Sequence, residues 1–494
     1  MQAGERTEED GMSASSGGGF ETGLAPDNLA RLLFDHPSAP TDPLVCTIRG
    51  ETTAAEFRRQ ANSVAAQLRA IGVRPGQAVA VELESAPDMA AGMFGTWLAG
   101  AVFVPVNPRQ PGREVARVLE TIRPAAVVDG LGARSLEGPS TFDSDVAFVT
   151  WTSGTTGPPK PILQTHSGYR EILGRVLGTI RTGPGADSPA PNLVPVSLAL
   201  NAGIYNVLFG LMAGASIVLM EKFDPGDFAE LVHRYRIRST VLPPAAMTML
   251  TADPSVSDLA PLRYVRSITA PLSPLAARRF ISKFGVTVLN GYGQAEVGEV
   301  IGWTAADARV HPEKLGAVGR PHAGVDIKIL DEDGRLVPPG TAGQLYVRPP
   351  RMAAGYAGED SLADRIDADG YVRTGDFAIL DADGFVWIEG RSSDLINRGG
   401  NKIFPDQVEE VLLLSPSVEE AAVVGVPDER LGEVPVAFVV GDATDEELAA
   451  LCRENLVPYK IPVAFVPVAE IPRSEVGKVL RRELAVGWVP SRDG

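Results

Sequence analysis

A chain of 494 residues, 44% of them apolar, is long enough for several domains and can fill a substantial core. Its formal net charge of −17, from 45 basic and 62 acidic residues, excludes the positive footprint that nucleic acid or an anionic membrane surface requires. Cys46 and Cys452 lie far apart without metal-ligand spacing, and no apolar run reaches the roughly 18 residues of a membrane span, so buried thiols and a cytoplasmic, reducing setting are expected.

The first 27 residues, acidic and then Ser/Gly-rich without an apolar stretch, predict a disordered tail. From Asn28 to Val128 helix and strand patterns alternate, the signature of a largely parallel, helix-covered sheet. A 3.6-residue apolar repeat (Phe57, Ala61, Val64, Leu68, Ile71) predicts a helix over 53–71, and residues 87–99 form another, closed by Gly100. Buried strands are expected at 78–83 and 101–106.

The run Val146–Val149 reads as a further strand and leads into Thr152-Ser153-Gly154-Thr155-Thr156-Gly157-Pro158-Pro159-Lys160. Glycines allow close backbone approach to an anion, hydroxyls and N–H groups donate to its oxygens, and Lys160 supplies a charge. The spacing differs from the G-x-x-x-x-G-K-[ST] loop, so a nucleotide is expected on another fold. By itself the segment also suits a Gly/Pro turn with solvated hydroxyls.

A second alternating block over 168–324 carries strands at 216–219, 239–242 and 286–289. The last runs into Asn290-Gly291-Tyr292-Gly293-Gln294-Ala295-Glu296, where a tight glycine turn would present an aromatic face and a carboxylate at the strand's C-terminal edge. Tyr292 suits stacking on a base and Glu296 suits Mg²⁺. From 325 to 388 short strands are separated by Asp-rich turns (331–334, 367–370, 381–384), which fit hairpins of an antiparallel subdomain. They lack the spaced ligands of a calcium loop. Within that region Asp376 and Arg391 offer a carboxylate for ribose hydroxyls and a guanidinium for phosphate, or equally a surface ion pair. A compact α+β segment follows: the glycine pair Gly399-Gly400 before Lys402, a helix over 405–414, strands near 421–424 and 436–440, a helix over 445–455, and Lys478 near the end. The five histidines (His36, His166, His233, His311, His322) form no cluster, so no zinc site or Ser-His-Asp triad is expected.

Taken in order, T-S-G-T-T-G-P-P-K, G-Y-G-Q-A-E, Y-V-R-T-G-D (371–376), G-R-S-S-D-L-I-N-R-G-G-N-K-I-F-P (390–405) and P-R-S-E-V-G-K-V-L-R-R (472–482) resemble the adenylate-forming superfamily of acyl-CoA synthetases, peptide-synthetase adenylation domains and luciferases, over residues 28–486. The resemblance implies an α/β fold: a large N-terminal domain (28–391) of two helix-covered sheets, with a small antiparallel β-barrel subdomain (324–391). It also implies a hinge at 392–393, at Ser393, and a small mobile α+β C-terminal domain (394–494). It implies ATP, Mg²⁺ and coenzyme A as reactants with a carboxylic acid, the acid being adenylated and then moved to the thiol. Thr152, Ser153, Gly154, Thr155, Thr156, Gly157 and Lys160 would hold phosphates, Tyr292 adenine, and Asp376 with Arg391 the ribose. Glu296 would bind Mg²⁺, Lys478 would act on the α-phosphate, and Gly400 and Lys402 would approach the thiol after domain rotation. Assembly as a homodimer stays open.

Pro161, Ala295 and the Ile268-Thr269 pair depart from the family pattern of glycine, threonine and Gly-Gly at those places, and Leu198–Asn201 lacks both the gating histidine and an aspartate for an amino acid's ammonium. An acyl-CoA ligase for a non-amino-acid carboxylate is therefore expected. Its alternatives are a member mainly performing thioesterification of a preformed adenylate, a donor to a carrier protein, or a nucleotide sensor. The pocket segments 198–204, 268–272 and 291–300 suggest an aliphatic, aryl or terpenoid-like acid.

Overall fold

The computed structural model describes residues 23–110, 112–138, 140–151, 160–180, 189–358, 361–473 and 479–487. The phosphate-loop residues Thr152–Gly157, Lys478 and most of the expected tail lie outside the described residues.

Two large sheets carry the N-terminal region. In one, Thr287–Gln294, Tyr264–Ser267, Ser239–Val241, Asn192–Val194, Ile217–Leu219 and Pro43–Thr47 run parallel, with antiparallel strands at both edges. In the other, Val146–Trp151, Val102–Pro105, Ala78–Val81 and Ala126–Asp129 run parallel, flanked by Pro161–Thr165 and Gly132–Ser135. One continuous apolar core joins inward residues of both sheets (Phe103 and Phe148 from one, Ile217 and Leu219 from the other) through the helices between them.

Local chemistry explains why those helices form and where they sit. Ala54–Ala70 starts at a capping box, Thr53 with Glu56, and buries Phe57, Ala61, Ala65 and Leu68 at helical spacing. It crosses Ala86–Leu98 so closely that a Cβ on Gly95 would stand 2.6 Å from Val64 Cβ, a contact only glycine allows. Trp97 is fully buried, donates its indole N–H to Ala147 O at 2.7 Å, and meets Phe94, Phe103 and Phe148. Such aromatic pairs contribute about 0.5–1.5 kcal/mol each beyond area burial.

The region 326–391 forms a four-stranded antiparallel sheet in the order Asp326–Leu330, Ala342–Arg348, Val372–Leu380, Val386–Arg391. The Asp-rich turns act within it: Asp381 accepts from the Asp383 and Phe385 amides and pairs with Lys314, and Asp367 plays the same part with Lys328. Beyond a turn at Ser392–Asp394, a separate core gathers on a C-terminal sheet built around Val418–Asp428 and Gly432–Gly441. Gly399 and Gly400, at φ +59° and +90°, form the two-residue turn between Ile396–Arg398 and Asn401–Ile403. Two positive φ values favour glycine there. This segment meets the rest of the chain through Phe404 on Phe377 (centroids 5.4 Å apart), Gln407 on Glu389, and Lys402 on Glu332.

No helix among the described residues is long and apolar enough to cross a membrane. Cys46 and Cys452 are both buried and free, and burial pushes their thiols up to about 12 and about 11.

Candidate active site

The G-Y-G-Q segment is not the tight turn expected from its glycines. It continues the Thr287–Gln294 strand into a hairpin with Gly298–Gly302, and the chain reverses only at Ala295–Val297. Gly293 is required because the partner strand passes too close: a Cβ would lie 2.2 Å from Gly298 O. The hairpin's apolar side (Val297, Val300, Ile301) packs on Leu345, Val347 and Val372, which docks the antiparallel sheet against the C-terminal edge of the larger one. Ligands of open α/β sheets collect at that edge.

Across this seam Tyr292 and Asp376 meet. The Tyr292 hydroxyl and Gln294 Nε2, the latter at 2.9 Å, both donate to Asp376 Oδ2, while Arg391 Nε lies 3.3 Å from Oδ1. Asp376 is only 4% exposed, and its amide is fixed by Thr374 Oγ1. Burial and then the Asp376 charge push the Tyr292 phenol well up, so it stays a donor. Asp376 and Arg391 face one another because the register between Val372–Leu380 and Val386–Arg391 slips by one residue between Phe377 and Ala378.

Two positions along the chain from Gln294, the Glu296 carboxylate accepts from Tyr356 Oη at 2.9 Å and pairs with Arg365 at 2.7 Å, both contacts falling on Oε1. Arg365 also donates to Gln294 Oε1 and to the Arg373 and Thr374 carbonyls, and so ties Glu296 to the strand that carries Asp376. Lys160 Nζ stands 5.5 Å from the ring centroid of the same Tyr356. The exit of the phosphate-loop sequence and Glu296 therefore share one aromatic neighbour. Pro161, the departure from the family pattern, is the first residue of an edge-paired strand, opposite Trp151, where a missing N–H costs little. The Ala295 carbonyl is held by Gln164 Nε2 at 2.7 Å.

Among the described residues no three His, Cys, Asp or Glu cluster as a metal site. A magnesium ion shared with phosphate oxygens needs only one or two carboxylates, and Glu296, with its bonded contacts on one oxygen, fits that part. Arg365 is the cation it would share that carboxylate with.

Motif reading missed Gln294, Tyr356 and Arg365. Gln294 was detectable, since it sits two residues from Tyr292 on the same face of a strand; nothing in sequence marked Tyr356 or Arg365. It also missed a buried charge cluster behind the hairpin, where Glu299 pairs with Arg266 and lies 3.2 Å from His322 Nε2. Burial would raise the Glu299 carboxyl, but Arg266 and His322 outweigh it and hold the group below its ordinary range. Thr269 stands at φ +83°, a strained conformation for a β-branched residue, immediately after Ile268. Gly400 lies on the C-terminal turn, where a Cβ would meet nothing within 4 Å, and Lys402, on the Asn401–Ile403 strand that follows, covers the Phe377 ring at 5.2 Å, one residue from Asp376.

Fold and site together define an adenylate-forming enzyme, and the chain belongs to the AMP-binding enzyme family: that family's model matches residues 37–141 and 133–357, and the model of its C-terminal domain matches 407–478. Among curated relatives, a feruloyl-CoA synthase of an Amycolatopsis species is 32% identical over 87% of this chain and 93% of its own length. A 2-succinylbenzoate–CoA ligase of Bacillus mycoides is 30% identical over 88% and 93%. Among solved structures, o-succinylbenzoate CoA synthetase (MenE) of Bacillus subtilis with its acyl-adenylate intermediate superposes at a TM-score of 0.82 and 25% identity, covering 94% of this chain and 99% of that one. The amide bond synthetase McbA of Marinactinospora thermotolerans superposes at 0.82 and 27%, covering 93% and 99%.

Proposed function

We propose that this chain is an AMP-forming acid–thiol ligase in which Asp376, gripped by Tyr292, Gln294 and Arg391, receives the ribose of ATP. The observation that carries this reading is the seam itself: a buried carboxylate with acceptor capacity for hydroxyls lies beside a second carboxylate, Glu296, that shares Tyr356 with the lysine closing the phosphate loop. A carboxylate substrate attacking the α-phosphate brings two anions together. Lys478 neutralises the forming bond, and the 152–160 segment holds the leaving pyrophosphate. Mg²⁺, when bound at Glu296, offsets triphosphate charge. Rotation of the C-terminal segment at Ser392–Ser393 then withdraws Lys478 and brings the Gly399–Gly400 turn and Lys402 toward the thiol.

Pyrophosphate exchange with an acid panel tests the first half-reaction, with ferulate and 2-succinylbenzoate first because relatives are named for them. AMP release on adding coenzyme A tests the second. Lys478→Ala is expected to abolish exchange yet retain thioester formation from a supplied acyl-adenylate, and loss of both would contradict the assigned role. A second acceptor reading has one support: the structural likeness extends to an amide bond synthetase. Exchange without coenzyme A consumption, but with consumption of an added amine or carrier thiol, would select it. Two buried free thiols fit a reducing cytoplasmic setting.

A further inference from the structure

Each of the two carboxylates of the seam has its own guanidinium, and the two pairs differ. Arg391 is one-third exposed and approaches Asp376 Oδ1 at 3.3 Å, whereas Arg365 is three-quarters buried and held on every side. Its Nη1 donates to Glu296 Oε1 at 2.7 Å and to Tyr356 Oη at 3.1 Å. Its Nη2 donates to Gln294 Oε1 and to the Arg373 and Thr374 carbonyls, and its Nε to the Arg373 carbonyl at 3.2 Å. All the N–H donors of the fork are thereby used. The stem leaves the short turn Leu362–Arg365, whose start is capped by Ser361 Oγ on the Ala363 amide. Protein carbonyls and a glutamine amide therefore fix this cation on Glu296, and the arrangement is complete without a ligand.

Glu296 is buried, and a buried carboxylate needs a counter-charge. On the ligase reading above, Mg²⁺ accompanies the triphosphate and leaves with pyrophosphate. AMP and the acyl-adenylate carry a single phosphate, and beside it an unpaired Glu296 would repel the intermediate that has to stay bound until the thiol arrives. A guanidinium fixed on that carboxylate covers the interval. The same guanidinium stands on an oxygen of the carboxylate that a metal would share, so it also opposes metal binding by like charge. We infer, resting on the ligase reading above, that Arg365 is the resident counter-cation of Glu296: it sustains affinity for AMP and acyl-adenylate when no metal is bound, and it weakens Mg²⁺ binding in the ATP complex.

Three variants separate charge from geometry. With EDTA present, AMP affinity measured by calorimetric titration should fall about tenfold in Arg365→Met, which keeps the stem and drops the charge. Arg365→Lys keeps the charge and loses the fork, and should stay within about threefold of the unmodified enzyme. Adding Glu296→Gln to Arg365→Met removes the anion that needed covering, so AMP affinity should return to within about threefold, a non-additive result expected of two residues in contact. Calorimetric Mg²⁺ titration of enzyme saturated with α,β-methylene-ATP should show binding about tenfold tighter in Arg365→Met, whereas a residue that only orients a metal ligand loses about tenfold or more when removed. Unchanged AMP affinity in Arg365→Met, a tenfold loss in Arg365→Lys by itself, no recovery in the double variant, or weaker Mg²⁺ binding would overturn the inference. Each of these leaves the ligase reading intact, because pyrophosphate exchange tests that separately. An unmodified enzyme that binds neither AMP nor the ATP analogue overturns both.

Discussion

Replacing Asp376 by Asn is the most direct perturbation of the ribose clamp. The carboxylate offers about four lone-pair directions; Tyr292 and Gln294 occupy those of Oδ2, and both on Oδ1 are open to ribose once Arg391, one-third exposed and 3.3 Å away, turns toward phosphate. Two ribose hydroxyls donating here make charge-assisted bonds of about 1.5–3 kcal/mol each, against about 0.5–1.5 for a neutral acceptor. Asn keeps the shape but has one accepting oxygen, so one hydroxyl falls to a neutral bond and the other loses its acceptor. The net loss is about 2–3 kcal/mol, which at 1.4 kcal/mol per tenfold is about 30- to 150-fold in affinity. Calorimetric titration of AMP and the ATP dependence of pyrophosphate exchange measure it, with near-ultraviolet circular dichroism confirming the fold. Arg391 is one-third exposed and can turn to water, so the fold should hold. A change in AMP affinity below about threefold, against the 30-fold or more that charge-assisted bonding demands, would refute the reasoning.

Three further outcomes are expected. Glu296→Gln should raise the Mg²⁺ concentration for half-maximal exchange by about tenfold or more without weakening AMP, which lacks the leaving phosphates; an unchanged Mg²⁺ dependence counts against Glu296 as a ligand. Thr269→Gly relieves a left-handed threonine, a strain of about 1–3 kcal/mol, partly offset by glycine's greater freedom when unfolded, so the urea midpoint should rise; a lower midpoint shows the strain is not there. Burial depresses His166 to about 4, and its Nδ1 accepts from the Leu29 amide. The unfolded chain takes up that proton first, so this contribution is complete above pH about 6.5 and is lost toward pH 4, at up to about 1.4 kcal/mol per pH unit. His36, also depressed by burial, adds in the same direction. Unfolding free energies at pH 7, 6 and 5 should fall less steeply in His166→Asn; an identical slope removes His166 from the account.

The parallel strands and the long helices were legible because apolar periodicity and caps are local signals: the 53–71 expectation became Ala54–Ala70, and 445–455 recurs as Asp445–Asn455. The hairpin turns were legible for the same reason. Register was not. Asp376 and Arg391 lie symmetrically about the 381–384 turn to within one residue, and only a bulge brings them opposite; without it Gly390 would face Asp376. The G-Y-G-Q glycines imitate a turn signal but serve close strand approach, a tertiary demand invisible along the chain. The buried charge cluster was missed because Glu299 and Arg266 come from separate strands.

Lys402 meets Glu332 on an exposed turn of the antiparallel sheet. A pair so open to solvent is worth at most about 1 kcal/mol and weakens as salt rises. Under the proposed rotation of this segment between half-reactions, 1 kcal/mol would be about a fivefold change in how long the molecule waits in one posture. Ionic strength would then act as a throttle on the turnover cycle, felt at a hairpin tip that touches neither ATP nor acid.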